Sequence, residues 1–231
     1  MEIVRFDHVG LVIKETRILE DISFSTEQGD IVGIAGPSGS GKTSLLRMMN
    51  LLRSPTAGTI FYKQRDLREY FPPQLRREVG YVLQKPYLFD GTVRDNLEYP
   101  YFVWMQKPDA QEILLYLERV NLPSSILRKS KNELSGGEQQ RIALVRSLLA
   151  KPKVLLLDEV TASLDEENAL ILEQLILGEG ITRSLTIFLI SHSPEQLRRM
   201  SKTILLLEHG QIRFQGPLTQ FSQLRGGLNN E

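Results

Sequence analysis

Residues 36–43 read Gly36-Pro37-Ser38-Gly39-Ser40-Gly41-Lys42-Thr43, between an apolar run and the start of a helical pattern. This stretch fits the pattern G-x-x-x-x-G-K-[ST] in the strand-then-helix context that the pattern requires. Its glycines allow backbone N–H groups to turn inward around phosphate oxygens, and the helix start adds the positive end of its dipole. The sequence therefore predicts a nucleotide phosphate site, with Lys42 reaching the β- and γ-phosphates and the Thr43 hydroxyl on Mg²⁺.

The surrounding chain alternates between predicted strands and helices. Short apolar runs without a clear in/out alternation, typical of strands covered on both faces, lie at Ile31–Ala35, Val79–Leu83, Val154–Leu157, Leu185–Ile190 and Ile204–Leu207. Helical patterns lie at Thr43–Leu52, Gly136–Ala150 and Glu166–Leu177, and we expect the last to end at Gly178. The fold class predicted is α/β with a mostly parallel sheet, and together with the phosphate loop it resembles a P-loop NTPase of the RecA-like type.

Two regions depart from this alternation and suggest subdomains. Residues 1–30 and 57–65 resemble strands with one polar face, which predicts a small antiparallel sheet, whereas residues 86–150 contain no convincing strand. A hairpin signal, Glu208-His209-Gly210-Gln211, follows the last core strand. We predict one domain over 1–231, with a catalytic α/β core and antiparallel subdomain in 1–85 and 151–225, an inserted helical subdomain in 86–150 and a frayed tail in 226–231.

Composition excludes several classes of protein. Among 231 residues, 28 Lys+Arg balance 28 Asp+Glu, which argues against nucleic-acid binding through bulk positive charge. The absence of cysteine removes disulfides, thiolate metal sites and cysteine nucleophiles. No apolar run is long enough to span a bilayer, and the N-terminus lacks the apolar segment of a signal peptide. We therefore expect a cytoplasmic protein that reaches a membrane only through a partner.

A second group of residues narrows the chemistry. Ser135-x-x-Glu138 forms a capping-box pattern, which explains the serine and the glutamate structurally. It does not explain Gly136 and Gly137, because each glycine weakens a helix by about 1 kcal/mol relative to alanine. Bare backbone N–H groups at a helix start suit a further phosphate contact. One helix later, the run 154–159 ends in adjacent carboxylates, Asp158 for Mg²⁺ and Glu159 to polarise water.

Over nearly its whole length the chain resembles the ATP-binding subunit of ABC transporters, with the motifs in the family's order and spacing. Besides the phosphate loop, Leu134-Ser135-Gly136-Gly137-Glu138 matches the signature and Gln84 matches the Q-loop glutamine. Ser163-Leu164-Asp165 matches the D-loop, and His192 matches the switch histidine after a strand.

The resemblance implies that two copies pack head to tail, with each ATP between the phosphate loop of one copy and the signature of the other. It assigns catalysis to Glu159, His192, Lys42 and Gln84, and Mg²⁺ contacts to Thr43, Gln84 and Asp158. The implied ATP contacts are Gly36, Pro37, Ser38, Gly39, Ser40, Gly41, Lys42, Thr43, Ser44, Ser135, Gly136, Gly137, Glu138, Asp165 and Ile13. It further implies transport-coupled ATP hydrolysis, driving a separate multi-span permease on the inner face of the cell membrane.

One position departs from the family. Members often carry an aromatic residue near the N-terminus that stacks on adenine, and that slot falls here at Val12–Ile13–Lys14. An aliphatic side chain packs against the base without the contact to an aromatic face. The sequence therefore predicts hydrolysis more firmly than it predicts a preference for ATP over GTP.

The cargo is indicated only by a subfamily likeness. The stretch from Phe89 to Leu127 looks like the stand-alone ATPases of the FetA (YbbL) type, whose membrane partner is linked to iron export and whose plant relatives are linked to UDP-glucose. The aromatic-rich segment 99–105 suits the core of a helical subdomain, a groove for a permease helix, or both. There are three alternatives. The chain could serve transport of another cargo such as UDP-glucose or phosphate, it could be a soluble ABC ATPase acting on ribosomes or DNA, or it could be a P-loop kinase.

Overall fold

The computed structural model describes residues 1–221, so the tail predicted at 226–231 lies outside the described residues. The strands are β1 (Glu2–Ile13), β2 (Thr16–Glu27), β3 (Ile31–Ala35), β4 (Ala57–Tyr62), β5 (Arg65–Asp66), β6 (Val79–Val82), β7 (Val154–Asp158), β8 (Thr186–Ile190), β9 (Thr203–Glu208) and β10 (Gln211–Pro217). The α-helices are α1 (Lys42–Met49), α2 (Pro72–Glu78), α3 (Val93–Val103), α4 (Ala110–Arg119), α5 (Gly136–Leu149), α6 (Glu166–Arg183) and α7 (Pro194–Met200). None of these helices combines the length and the apolar character needed to cross a membrane.

The larger sheet has six strands in the order β10-β9-β3-β8-β7-β6. Every pair from β9 to β6 is parallel, and only the edge strand β10 is antiparallel, as the hairpin signal predicts. All residues of β3, β7 and β8 are buried, because helices or the second sheet cover both faces. The carboxyl ends of β3, β8, β7 and β6 consequently meet at one edge of the sheet, which confirms the predicted α/β class.

The second sheet is antiparallel, in the order β2-β1-β4-β5, and lies over the phosphate-loop face of the core. Its inner side chains form one hydrophobic cluster with α1 and one face of the parallel sheet. Phe24 joins the two sheets: its ring stacks on Phe6 at 4.6 Å and meets Phe188 edge-on at 6.4 Å. This contact joins the end of β2 to the middle of β8.

The segment between β6 and β7 contains the helices α3, α4 and α5 and no strand, only an isolated bridge between Thr92 and Ser130. We call residues 86–150 the helical block. Its buried side chains, such as Leu97 and Ile142, belong to the same hydrophobic cluster as Leu157 and Ile187 on the other face of the parallel sheet. The helical block and the sheet therefore share one core.

Two predicted helix ends are wrong. Helix α6 continues through Gly178 to Arg183 and ends where Ser184 takes φ +50°. A Cβ at Gly178 would lie 3.0 Å from Arg119 Nη2, so this glycine makes room for a side chain from α4 rather than stopping the helix. Helix α1 ends at Met49, three residues before the predicted Leu52, because Leu51 takes φ +56°.

Candidate functional site

The loop between β3 and α1 has a shape that only its glycines permit. Gly36 takes φ +141°, and a Cβ there would lie 2.0 Å from the carbonyl oxygen of Leu207 on β9. Gly41 takes φ +104°, and a Cβ there would lie 2.6 Å from Leu19 Cδ2 on β2. The loop is thus held between the two sheets, and its outer rim of Pro37, Ser38 and Gly39 is exposed.

Two buried polar groups point to an anionic ligand in this loop. Lys42 is 5 % exposed, and its Nζ donates to the carbonyl oxygens of Gly36 at 2.9 Å and Pro37 at 2.8 Å. Burial lowers the pKa of Lys42, while the carboxylates of Glu159 and Asp158 act in the opposite direction. Ser40 Oγ is buried with no hydrogen-bond partner among the described residues. A phosphate oxygen would satisfy that hydroxyl and be neutralised by the lysine.

The acidic edge of the site comes from β7. Asp158 ends this strand and is 5 % exposed. The Thr43 hydroxyl at the start of α1 donates to Asp158 Oδ1 at 3.0 Å, and the Tyr81 hydroxyl from β6 donates to Asp158 Oδ2 at 2.6 Å. Burial and the neighbouring carboxylate raise the pKa of Tyr81, so its hydroxyl stays a donor. The structure therefore joins the predicted metal ligands Thr43 and Asp158.

This donor set fits Mg²⁺. Thr43, Asp158 and Gln84 offer oxygen atoms, which this hard cation prefers. Adjacent ligands of an octahedral Mg²⁺ lie about 2.9 Å apart, close to the 3.0 Å between Thr43 Oγ1 and Asp158 Oδ1. Within the described part of the chain, no cluster of three or more His, Asp or Glu residues encloses a metal by itself. A site that Mg²⁺ reaches together with a nucleotide's phosphates is consistent with both observations.

Glu159 lies between the other two polar residues predicted at this edge. Its Oε2 accepts from Gln84 Nε2 at 2.9 Å, and its Oε1 lies 3.0 Å from His192 Nε2. The Glu159 side chain is 18 % exposed and that of His192 is 47 % exposed, so the pair faces an open cleft. A carboxylate held by two neighbours in this way is suited to orienting a water molecule.

Glu159 and His192 also line a cavity of about 550 Å³ between α6 and α7. Glu166 and Glu195 line this cavity, as do Glu173 and Arg199, which form an ion pair at 2.7 Å. Gln196 Nε2 joins that pair to Thr161 Oγ1, just after Glu159. The sequence did not identify Tyr81 and Gln196 as residues near the site, because a tyrosine in a strand and a glutamine in a short helix resemble ordinary packing residues.

The start of α5 has the predicted capping box. Ser135 Oγ accepts from Glu138 N at 3.2 Å, and Glu138 Oε2 accepts from Ser135 N at 2.7 Å. The two glycines have no such explanation: a Cβ on Gly136 would meet nothing within 4 Å, and one on Gly137 would only touch Leu164 at 3.4 Å. The chain's own packing therefore does not require glycine there.

The structure does not bring this helix start onto the phosphate loop. Among residues 1–221, no hydrogen bond or ion pair joins Ser135 or its neighbours to residues 36–43. Asp165 is the N-cap of α6 and accepts from Asn168 N at 2.9 Å, and Asn168 in turn bonds Arg141 of α5. The signature and the D-loop are thus linked to each other but stand apart from the phosphate loop of the same chain.

The predicted base position is apolar. Ile13 lies at the end of β1 and Ile18 near the start of β2, and both are partly buried against the cluster beneath the antiparallel sheet. The carbonyl oxygen of Ile18 would lie 3.1 Å from a Cβ on Gly41, so this surface adjoins the helix start where the phosphate loop ends. Ser44, in the first turn of α1, is partly exposed beside it.

Comparison with known proteins relates the chain to the ATP-binding proteins of ABC transporters. The family model described as "ABC transporter" matches residues 19–162. The "Probable iron export ATP-binding protein FetA" of Escherichia coli K12 is 39% identical over 207 residues, 90% of this chain and 92% of that protein. The "Phosphate import ATP-binding protein PstB 2" of Natronomonas pharaonis is 36% identical over 87% of this chain and 75% of that protein.

A solved structure resembles the fold over most of both chains. The dimeric ATP-binding cassette MJ0796, described in a post-hydrolysis state bound to ADP and Pi, superimposes with a TM-score of 0.81 at 25% identity. The match covers 93% of this chain and 98% of that one.

Proposed function

The chain belongs to the ABC transporter family, and from this premise we propose that it powers a separate membrane permease, as a peripheral protein on the cytoplasmic face. It is an ATP-binding subunit that hydrolyses ATP. The observation that carries the proposal is the split site: a phosphate loop with its acidic edge, and a glycine-rich helix start that makes no hydrogen bond to that loop among the described residues and where a Cβ on Gly136 would meet nothing within 4 Å. Two copies arranged head to tail would complete each other's site.

In this arrangement the phosphate loop binds the triphosphate. Lys42 leaves its carbonyl partners for the β- and γ-phosphate oxygens, and Ser40 Oγ gains the acceptor that it lacks among the described residues. Thr43, Asp158 and Gln84 would hold Mg²⁺, which neutralises charge on the transferred phosphoryl group. The N–H groups of Gly136 and Gly137 from the second copy approach the γ-phosphate from the other side.

The hydrolytic water is oriented by Glu159. Its carboxylate is held by Gln84 and His192, at 2.9 Å and 3.0 Å, so one geometry is favoured before any water binds. Glu159 accepts the proton of the attacking water, and His192 contacts the γ-phosphate. Because Gln84 lies two residues before the helical block, loss of the γ-phosphate would be transmitted to that block.

An exposed apolar surface supports a permease as the partner. It consists of Tyr87, Tyr99, Phe102, Val103 and Met105, of which Phe102 is 80 % and Met105 98 % exposed. Phe89 joins Tyr87 to Tyr99 through ring contacts at 5.7 and 4.4 Å, so the tyrosine part of this surface is continuous. Pro100 and Tyr101 are buried, which gives segment 99–105 both a core face and an outer face. Exposed apolar groups of this size are typical of interfaces.

We propose metal export, specifically of iron, as the transport reaction, because the likeness to FetA covers 90% of this chain. The competing hypotheses are transport of phosphate or UDP-glucose and a role as a soluble ATPase that acts on ribosomes or DNA. The test is a pull-down of the tagged Glu159→Gln chain with Mg-ATP from its host's membranes, with tagged Lys42→Ala as the control. Partners are identified by mass spectrometry.

Recovery of one multi-span permease with Glu159→Gln alone would support the proposal. Reconstitution of that permease with the wild-type chain in liposomes then compares ATP-dependent movement of Fe²⁺, phosphate and UDP-glucose. Recovery of ribosomes or DNA-repair proteins instead would leave the ATPase in place and contradict a role in transport.

A further inference from the structure

The Asp158 carboxylate is hydrogen-bonded on both of its oxygens by hydroxyl groups from different elements. Oδ1 accepts from Thr43 Oγ1 at 3.0 Å, and Oδ2 accepts from Tyr81 OH at 2.6 Å. Thr43 belongs to the phosphate loop and its helix, whereas Tyr81 belongs to β6, the strand that leads to Gln84. The Tyr81 contact is thus a separate feature that the nucleotide chemistry alone does not explain.

The register of the sheet brings the two side chains together. β6 and β7 are parallel, and Tyr81 is paired with Leu156, two residues before Asp158. The long tyrosine side chain reaches the carboxyl edge, where Asp158 ends its strand. Arg47, one turn after Thr43 on α1, interacts with the same hydroxyl. Tyr81 is therefore anchored by two elements as well as by its own strand.

Two donors on different oxygens determine the plane of a carboxylate. With Oδ2 occupied by Tyr81, the oxygen that remains beside the phosphate loop is Oδ1, next to the Thr43 hydroxyl. Without the tyrosine hydroxyl, Asp158 is free to rotate and to present either oxygen, or neither, at the Thr43 position. Groups that orient a metal-binding carboxylate in this way contribute strongly to metal affinity.

We infer that Tyr81 is a positioning residue of the nucleotide site, which holds Asp158 so that Oδ1 and Thr43 Oγ1 reach the metal of the bound nucleotide together. The inference rests on the proposed function, since it assumes that this edge receives a metal–nucleotide complex. It assigns Tyr81 to metal affinity rather than to binding of the nucleotide itself.

The test compares Tyr81→Phe, which removes one oxygen and keeps the ring, with wild type. Mn²⁺ serves as the paramagnetic probe, and its affinity for the protein with the non-hydrolysable analogue AMP-PNP is measured by electron paramagnetic resonance. Affinity for a fluorescent ATP analogue is measured separately in EDTA. We expect Mn²⁺ affinity to fall about tenfold, with nucleotide affinity in EDTA unchanged within twofold.

Tyr70→Phe is the matched control, because Tyr70 OH, between β5 and α2, donates to the carbonyl oxygen of Tyr62 on β4 at 2.9 Å and has no hydrogen bond to Asp158 or Thr43. Melting temperatures of both variants show the cost of losing one tyrosine hydrogen bond, and only Tyr81→Phe should change Mn²⁺ affinity. Unchanged Mn²⁺ affinity in Tyr81→Phe, or an equal loss of nucleotide affinity in EDTA, would overturn the inference. Wild type that binds no nucleotide would instead remove the proposed function.

Discussion

Glu159 Oε1 lies 3.0 Å from His192 Nε2, so the residue that follows β7 touches the residue that lies just beyond β8. The two strands are neighbours in the parallel sheet, and Asp158 is paired with Ile190. The contact is therefore a consequence of strand order. It holds the proposed general base in place on the side opposite to Gln84.

The first prediction concerns that base. Glu159→Gln keeps the side-chain size but removes the proton acceptor, so ATP turnover should fall by at least about 100-fold. Nucleotide binding should persist, and an ATP-bound dimer should accumulate because it is not hydrolysed. Phosphate release and light scattering with Mg-ATP measure the two effects. Glu166→Gln, in the same cleft, is the control; wild-type turnover in Glu159→Gln would remove Glu159 from this role.

Lys42→Ala removes the buried cation of the phosphate loop. We expect nucleotide affinity or turnover to fall by at least about tenfold, since a charge-assisted contact to phosphate contributes about 1.5–3 kcal/mol. Titration with a fluorescent ATP analogue measures the change. Lys107→Ala, at an exposed position, should behave as wild type. An unaltered ATPase in Lys42→Ala would contradict the phosphate-loop assignment.

The predicted position of the adenine base is tested by introducing an aromatic side chain at Ile13. Ile13→Tyr should tighten ATP binding about fivefold or more, because stacking on a base contributes about 1–3 kcal/mol, and should tighten ATP relative to GTP. Val12→Tyr is the control, since neighbouring residues of a strand point to opposite faces and Val12 is exposed. Equal affinities in both variants would mean that the base binds elsewhere.

Gly136→Ala separates folding from function. Alanine at the start of α5 should stabilise the protein by about 0.5–1 kcal/mol, since a Cβ there meets nothing within 4 Å. ATP turnover and ATP-driven dimerisation should fall, because the added methyl group covers N–H groups proposed to face the second copy's nucleotide. Calorimetry and phosphate release are compared on the same preparation. A stabilised variant with full turnover would argue against a ligand at this helix start.

A buried ion cluster joins the helical block to the core. Glu179 on α6 is 3 % exposed and accepts from Arg119 at 2.6 Å, Arg183 at 2.8 Å and Tyr116 at 2.9 Å. Burial alone would raise the pKa of Glu179, but these hydrogen bonds outweigh it and the pKa lies below its ordinary 4.5. Glu179→Gln should lower the free energy of unfolding by about 3 kcal/mol at neutral pH.

The direction of the pKa shift of Glu179 determines how the stability difference between wild type and Glu179→Gln depends on pH. Because the folded-state pKa of Glu179 is lowered, its contribution is complete above pH 4.5 and is lost as pH falls towards the folded-state value. Urea unfolding at pH 7 and near pH 3 should therefore show a gap between wild type and Glu179→Gln that narrows in acid. The exposed Glu27→Gln is the control, and a pH-independent gap would contradict the charge assignment.

The fold and much of the site were predictable because parallel strands align their carboxyl ends. Lys42, Asp158 and His192 lie at or just beyond the carboxyl ends of three different parallel strands. They therefore lie close together because those strands are neighbours in one sheet. The length of α6 was not predictable, since Gly178 makes room for Arg119 from a distant helix, a contact without a local signal. Tyr81 was missed for the same reason, because only the register of β6 on β7 brings its hydroxyl to Asp158.

The core that the helical block shares with the parallel sheet has a further consequence. Leu97 and Ile142 from the block pack in one cluster with Leu157 and Ile187 from the sheet, so no solvent layer separates the two. Block and sheet should unfold as one cooperative unit, and excision of residues 86–150 would expose the sheet rather than leave a smaller stable protein. A tilt of the helical block therefore cannot be absorbed by a loose interface. It must displace the strand that ends in Asp158, or be prevented by the packing against that strand.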